Sequence, residues 1–269
     1  MSATKNPAFV LKTQDYRDTS ILGDFYTRDH GRIRGIVKGV RDTRACFGST
    51  LEPFSLNEIL FYKRKRGGDL HLVTQVDMLE EFPRVREDPE RLGTAAYCLE
   101  LLSELVEPEE PQPALFDLLR DTLEFLSSGA SCKRGARIFE VKLLDLLGLM
   151  PEIRHCVLCH AESREAVYFN VTLGGIHCKD CLPAALPAGR QGQTGAVKSK
   201  ALVGGSSQPV SKGTLLFLER ARRSALKDLY SVKVSQEVGG QLESVLRRFT
   251  DFHLSHKLKS LAFMEKMGY

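Results

Sequence analysis

No apolar run in this chain approaches the roughly 20 residues that cross a bilayer as a helix, so a helical membrane span is not expected. The first residues, Met1-Ser-Ala-Thr-Lys-Asn-Pro7, have neither an apolar core nor a small-residue cleavage site. Export is therefore not expected either. An even cysteine count is missing too. Of seven cysteines, four fall into one pattern, and Cys46, Cys98 and Cys132 are scattered. That usage suits a reducing cytosol better than a disulfide scaffold, so a cytoplasmic protein is expected. What remains is ordinary globular material: 269 residues, 42% hydrophobic and 27% charged, enough for one large or two modest domains.

The most specific signal is Cys156-Val-Leu-Cys159 and its echo Cys178-Lys-Asp-Cys181, with eighteen residues between the pairs. Two residues between cysteines let one tight turn aim both sulfurs at a single ion. This is the spacing of a tetrahedral zinc site. Val167–His177 alternates and then turns at Gly174-Gly175, which predicts a hairpin returning the second pair to the first. Four thiolates fill a tetrahedron and leave no position for water, so the ion, one Zn2+ per chain, would be structural. A rival pattern overlaps it. His160-Ala-Glu162 followed by Cys178-x-x-Cys181 resembles a zinc deaminase signature in which Glu162 would move protons. However, His177 stands where that signature has proline, and Cys156 and Cys159 would have no role.

Charge is unevenly spread. Lys12 to Arg66 holds twelve Lys/Arg against seven Asp/Glu, whereas Asp77 to Glu124 holds four against fourteen. From Leu215 onward the balance returns to ten against six. The basic front reads as five strands within residues 8 to 80, broken by turns at Asp29-His-Gly31 and Arg66-Gly-Gly-Asp69. Five strands in some seventy residues fit an OB-fold barrel. Arg32 and Arg34 share a face by strand periodicity. Candidate DNA-binding residues are Arg28, Arg32, Arg34, Lys38, Arg41, Arg44, Lys63, Arg64, Lys65 and Arg66. Phe25, Tyr26, Phe47, Phe61 and Tyr62 lie among them as candidate stacking platforms. Contact would be mainly with phosphates. An OB barrel accepts RNA as readily, which keeps an RNA-binding protein open as an alternative.

The acidic middle reads as helices. Asp88 is an N-cap with Pro89 at the first position. Glu107–Pro113 is a stiff connector, and helices follow near 113–126 and 133–147. Lys133, Arg134 and Arg137 beside apolar Ile138 and Val141 could receive an acidic, hydrophobic peptide tail. Leu186 to Gly213 contains no acid and is rich in Gly, Ser, Pro and Gln, which predicts a long flexible loop. Two helices close the chain, near 214–229 and from 235 to 254 or on toward Phe263. The expected plan is α+β and multidomain: barrel 1–82, helices 83–152, an inserted four-cysteine knuckle 153–183, a basic loop 184–213 and helices 214–269.

Tyr16–Leu22, Phe25–Arg41, Phe139–Pro151, the two cysteine pairs and Gly174–Cys178 occur in an order similar to that of the bacterial recombination-mediator family RecO. The resemblance covers most of the chain. Two features depart from it: the Leu186–Gly213 stretch is longer, and Asp42 dilutes the basic run after Lys38-Gly39. The resemblance implies an OB-fold domain, a helical domain and a zinc-bound knuckle. It also implies a non-catalytic role in DNA repair: binding single- and double-stranded DNA, annealing complementary strands and helping RecA load onto DNA coated by single-strand binding protein. Implied partners are RecR and the acidic tail of that binding protein.

Overall fold

The computed structural model describes residues 3–16, 19–38, 51–63, 70–162, 167–181 and 207–268. They divide into two compact units, one of Met1–Phe139 with Lys257–Tyr269, the other of Glu140–His256.

The first unit begins with strands β1 (Ala3–Tyr16), β2 (Ser20–Thr27), β3 (Gly31–Val37), β4 (Leu56–Tyr62) and β5 (Leu70–Glu80). They close in the order β1-β2-β3-β5-β4, with β3 and β5 parallel and β1 returning to β4. This is the five-stranded OB barrel. Alternation explains why these segments are strands. In β3, Gly31, Ile33, Gly35 and Val37 are buried while Arg34 is exposed. The barrel interior is filled by Ala8, Val10, Phe25, Ile33, Val37, Leu51, Ile59, Phe61, Val73 and Val76. Strand β1 pairs with β4 through Ala3–Phe9 and with β2 through Ala8–Tyr16, bending at a register shift between Val10 and Lys12. A bulge is how one long strand serves both sides of a barrel.

Four helices follow the barrel along the chain: α1 (Pro83–Glu87), α2 (Pro89–Leu105), α3 (Pro113–Ser127) and, spanning the unit boundary, α4 (Cys132–Leu146). Asp88 caps α2 as its sequence demands, accepting from the Glu90 and Arg91 amides at 2.9 and 3.1 Å. Helix α3 covers one strip of the barrel's outer surface. Phe116 lies 4.9 Å from Phe9, and the Tyr26 hydroxyl donates to the Gln112 carbonyl at 3.4 Å. The acidic connector is drawn in as well: the Glu109 amide donates to the Arg32 carbonyl at 2.9 Å. Gly31, with φ +64°, permits this approach, since a Cβ there would sit 2.2 Å from the Glu110 carbonyl oxygen.

The second unit contains a three-stranded sheet, ordered β7-β6-β8, built from β6 (Val167–Asn170), β7 (Gly175–Cys178) and β8 (Ser207–Val210). Helices α5 (Lys212–Arg223), α6 (Leu226–Leu229) and α7 (Gln236–His253) follow. Helix α7 buries Leu242, Val245, Leu246 and Phe249, and Phe249 meets Phe169 edge to face at 5.9 Å. A last helix, α8 (Lys259–Lys266), belongs to the first unit, where Glu100 holds its N-terminus.

Three sequence expectations change. The loop over Leu186–Gly213 contains a strand at its end: β8 pairs with β6 from Val167↔Val210 to Asn170↔Ser207. Sheet pairing overrides the turn-forming composition there, and residues 182–206 lie outside the described residues. The closing helix stops at His253 and restarts at Lys259. Finally, Phe25 and Phe61 are barrel core and Tyr26 is covered by α3, all at 0% exposure, so they offer no stacking surface. Tyr62 is half-buried, and Phe47 lies outside the described residues.

Candidate nucleic-acid interface and metal centre

The candidate cations on the barrel separate into engaged and exposed groups. The Arg28 guanidinium lies 3.1 Å from the Asp117 carboxylate and 5.9 Å from the centre of the Phe116 ring. Arg32 donates to the Ser103 carbonyl at 2.5 Å and to its hydroxyl at 3.2 Å. Both are tied to helices of their own unit. Arg34 meets Asp24 at 3.3 Å with a side chain 54% exposed. Lys38 is exposed at the end of β3, and Lys63 is half-buried after β4. Arg41, Arg44, Arg64, Lys65 and Arg66 lie outside the described residues.

Register reveals a grouping that strand periodicity alone did not. Lys12 pairs with Asp24 and Asp24 with Arg34, which sets Lys12, Asp24 and Arg34 in one row across three strands. The neighbouring row, Phe9–Tyr26–Arg32, is the strip under α3. Asp24 and Arg34 of the first row border a cleft of about 500 Å3 with Arg32, Ile33, Pro108 and Glu109. Glu109 is held by the Nε2 of buried His71 at 3.2 Å. Near the barrel's rim, burial, then Lys63, lowers the pKa of His30. Finding Lys12, Asp24 and Glu109 required the pairing of β1 with β2 and the fold of the connector. Neither is encoded in local spacing.

The four cysteines come together through a tight backbone clamp. The Cys156 amide donates to the Ala161 carbonyl and the His160 amide to the Cys156 carbonyl, both at 2.8 Å. The Val157 amide reaches the Ile176 carbonyl at 2.9 Å, docking the first pair on β7. Gly174 makes the turn between β6 and β7 at φ +69°. All four sulfurs lie within 4.8 Å of one another, and Cys159 and Cys178 are 3.7 Å apart. A tetrahedral ion with Zn–S bonds of about 2.3 Å requires edges of about 3.8 Å. Burial disfavours the Cys156 thiolate, but backbone amides of Cys159, Cys178 and Leu158 outweigh it and bring the pKa to about 6. The Cys178 amide lies 3.4 Å from that sulfur. Hydrogen bonding to the Cys178 sulfur, and burial, push the Cys181 thiol up. The donor set fits one thiophilic cation. His160 is exposed with φ +59° and is not among the converging ligands, so the deaminase arrangement of one histidine and two cysteines is not what the chain assembles.

Lys133, Arg134 and Arg137 fall in the first turns of α4, Lys133 exposed and the two arginines half-buried. Each arginine has an interaction partner within the fold.

These features define a class: an α+β, multidomain protein that joins an OB barrel to helices and a four-cysteine cluster. Its residues 1–82 match the family model for the recombination protein O N terminus, and residues 86–262 match that for the C terminus. The chain is 32% identical over 268 residues to the DNA repair protein RecO of Desulforamulus reducens, covering 99% of this chain and 96% of the relative. It is 31% identical over 269 residues to that of Pelotomaculum thermopropionicum, covering 100% and 96%. With the Syntrophus aciditrophicus protein it shares 30% over 267 residues, covering 98% and 95%. The chain belongs to the RecO family of DNA repair proteins.

Proposed function

We propose that the chain is a non-catalytic recombination mediator. It binds single- and double-stranded DNA mainly through phosphates, anneals complementary strands and assists RecA loading on DNA coated by single-strand binding protein. The observation that carries the DNA-binding part is the row Lys12–Asp24–Arg34 on an OB barrel, whose two cations are exposed, with Lys38 exposed at the end of β3. A strand held by its phosphates leaves its bases free to pair, and neutralised charge lets a second strand approach. Arg41, Arg44 and Lys63 to Arg66 are further candidate contacts by sequence. Annealing, RecA loading, RecR and the tail of the single-strand binding protein are carried over from the family, with Lys133, Arg134 and Arg137 as the candidate tail site. Cys156, Cys159, Cys178 and Cys181 would hold one structural zinc. Four sulfur donors close the coordination sphere and offer no site for an activated water.

Annealing of complementary oligonucleotides, naked and coated by single-strand binding protein, measured across salt concentrations, tests this reading. The protein should accelerate both reactions at low salt and lose that effect as salt rises. Failure to accelerate annealing of naked strands at low salt would overturn it.

A further inference from the structure

Four converging sulfurs leave one group of buried polar side chains unexplained. Asn170 on β6, His177 on β7 and Ser207 on β8 come one from each strand of the small sheet, the first two fully buried. The His177 Nε2 is 2.9 Å from the Ser207 hydroxyl oxygen, and its Nδ1 is 3.2 Å from the Cys178 carbonyl oxygen. A carbonyl only accepts, so Nδ1 carries the ring proton and Nε2 accepts from the Ser207 hydroxyl. The Ser207 oxygen in turn accepts from the Asn170 amide nitrogen at 3.0 Å. That amide cannot turn round, because its own oxygen accepts from the Leu173 backbone amide at 3.0 Å. Every donor in this relay therefore points the same way, from the turn after β6, through Ser207 and His177, to the backbone of Cys178. The far end of the relay is a metal ligand. The Cys178 carbonyl is held by His177, its amide lies 3.4 Å from the Cys156 sulfur, and the turn Lys179–Cys181 carrying the fourth sulfur begins after it. The near end is a strand from a distant part of the chain. Strand β8 pairs with β6, and Gln208 accepts from Ser244 at 2.8 Å and from Arg248 at 2.9 Å on α7. Ser207 thus stands between a strand anchored on α7 and the peptide of a ligand, without being one of the four converging ligands itself.

We infer that Ser207 is a positioning residue for the metal centre: docking of β8 completes the relay, fixes the Cys178 peptide and raises the affinity of the four cysteines for their ion. The inference rests on the zinc reading above. Groups that hold a ligand from outside the coordination sphere set its orientation, and their loss weakens metal binding about 10–100-fold. Buried hydrogen bonds in a chain also strengthen one another. Linkage makes the effect reciprocal: the ion tightens β8 on β6 by the factor by which β8 tightens the ion. The knuckle is then no separate appendage, since its ion also secures the strand that leads into α5.

The test measures zinc affinity of the full chain by competition with a chromophoric chelator at neutral pH. Ser207→Ala removes the hydroxyl that joins Asn170 to His177 and should weaken zinc binding about ten-fold, the lower end of the range for such outer partners. Ser207→Thr keeps a hydroxyl and should restore most of the affinity. Hydrogen exchange on the wild-type chain needs no variant. Stripping zinc with the chelator should speed exchange at the Gln208 and Val210 amides, while those of Val245 and Leu246 in α7 stay protected. Unchanged zinc affinity in Ser207→Ala, an equal loss in Ser207→Thr, or exchange in β8 indifferent to zinc would each overturn the inference and leave the zinc reading standing. A wild-type chain that binds no zinc would overturn both.

Discussion

The separation of barrel cations into exposed and engaged sets makes a quantitative prediction. Lys12 and Lys38 are exposed, and Arg34 shares an ion pair with Asp24 at a surface where such a pair contributes about 0–1 kcal/mol. A phosphate can therefore exchange with Asp24 at little cost. Replacing Lys12, Arg34 and Lys38 by glutamine removes three candidate phosphate contacts. Each contact to a single strand releases about 0.7 counterion, so the slope of log K against log salt should become shallower by about 2. At 0.1 M salt the same term corresponds to roughly 100-fold weaker binding. Arg32→Gln is the contrast. Its guanidinium is already committed to the Ser103 carbonyl and hydroxyl, so its loss should lower stability while changing the slope by well under one contact. Anisotropy titrations with one oligonucleotide at four salt concentrations measure both sets. A triple variant with wild-type slope and affinity, or an Arg32 variant that loses as much as the triple, would refute the separation.

Other outcomes follow from the same geometry. Cys156→Ser or Cys181→Ser should drop zinc from about one per chain toward zero by metal analysis and raise protease sensitivity around residues 152–181, because ligand loss forfeits binding energy that folds a small metal knuckle. Wild-type protein purified without zinc would count against the assignment. Glu100→Ala removes acceptors for the Lys259 and Ser260 amides, at 2.9 and 2.8 Å, and for the Ser260 hydroxyl at 2.6 Å. A loss of about 1–2 kcal/mol, read from the urea midpoint, is expected for removal of such a cap. His30 and His253 both have lowered pKa values, in each case chiefly through burial. The unfolded chain therefore binds more protons just below the ordinary histidine pKa of about 6.5. Their contribution to stability is fully present above that value and is lost as pH falls through it toward the depressed folded values. Replacing either histidine by glutamine should flatten the fall in urea midpoint between pH 7.5 and 5.5, and an unchanged fall would exclude these groups.

Much of the molecule was legible because it is local. Asp88-Pro89 announces a helix start wherever it sits, and two C-x2-C pairs around a Gly-Gly turn can hardly be read except as a clamp. Strand alternation in Gly31–Val37 likewise marks which residues fill the barrel. Pairing between distant segments was not legible. Nothing near Ser207 signals a strand until Val167–Asn170 is beside it. The connector Glu107–Pro113 reads in sequence as a stiff spacer, yet its Glu109 amide and carboxylate find Arg32 and His71 some 77 and 38 residues away. For the same reason, charge counting placed Arg28, Arg32 and Arg34 in one set without showing the partner each has in the fold: Asp117, Ser103 and Asp24.

The link between Glu100 and Ser260 also bears on how the polypeptide is made. Residues 257–266 complete a body whose other members are all synthesised before residue 140, so everything from 140 to 256 must leave the ribosome first. Until then Gly93, which packs against Met264, faces water. Closure across some 160 residues is the slow, high-separation kind of step. A nascent chain of this protein thus spends the whole synthesis of its second unit with the first one unsealed, the interval in which a chaperone would have most to do.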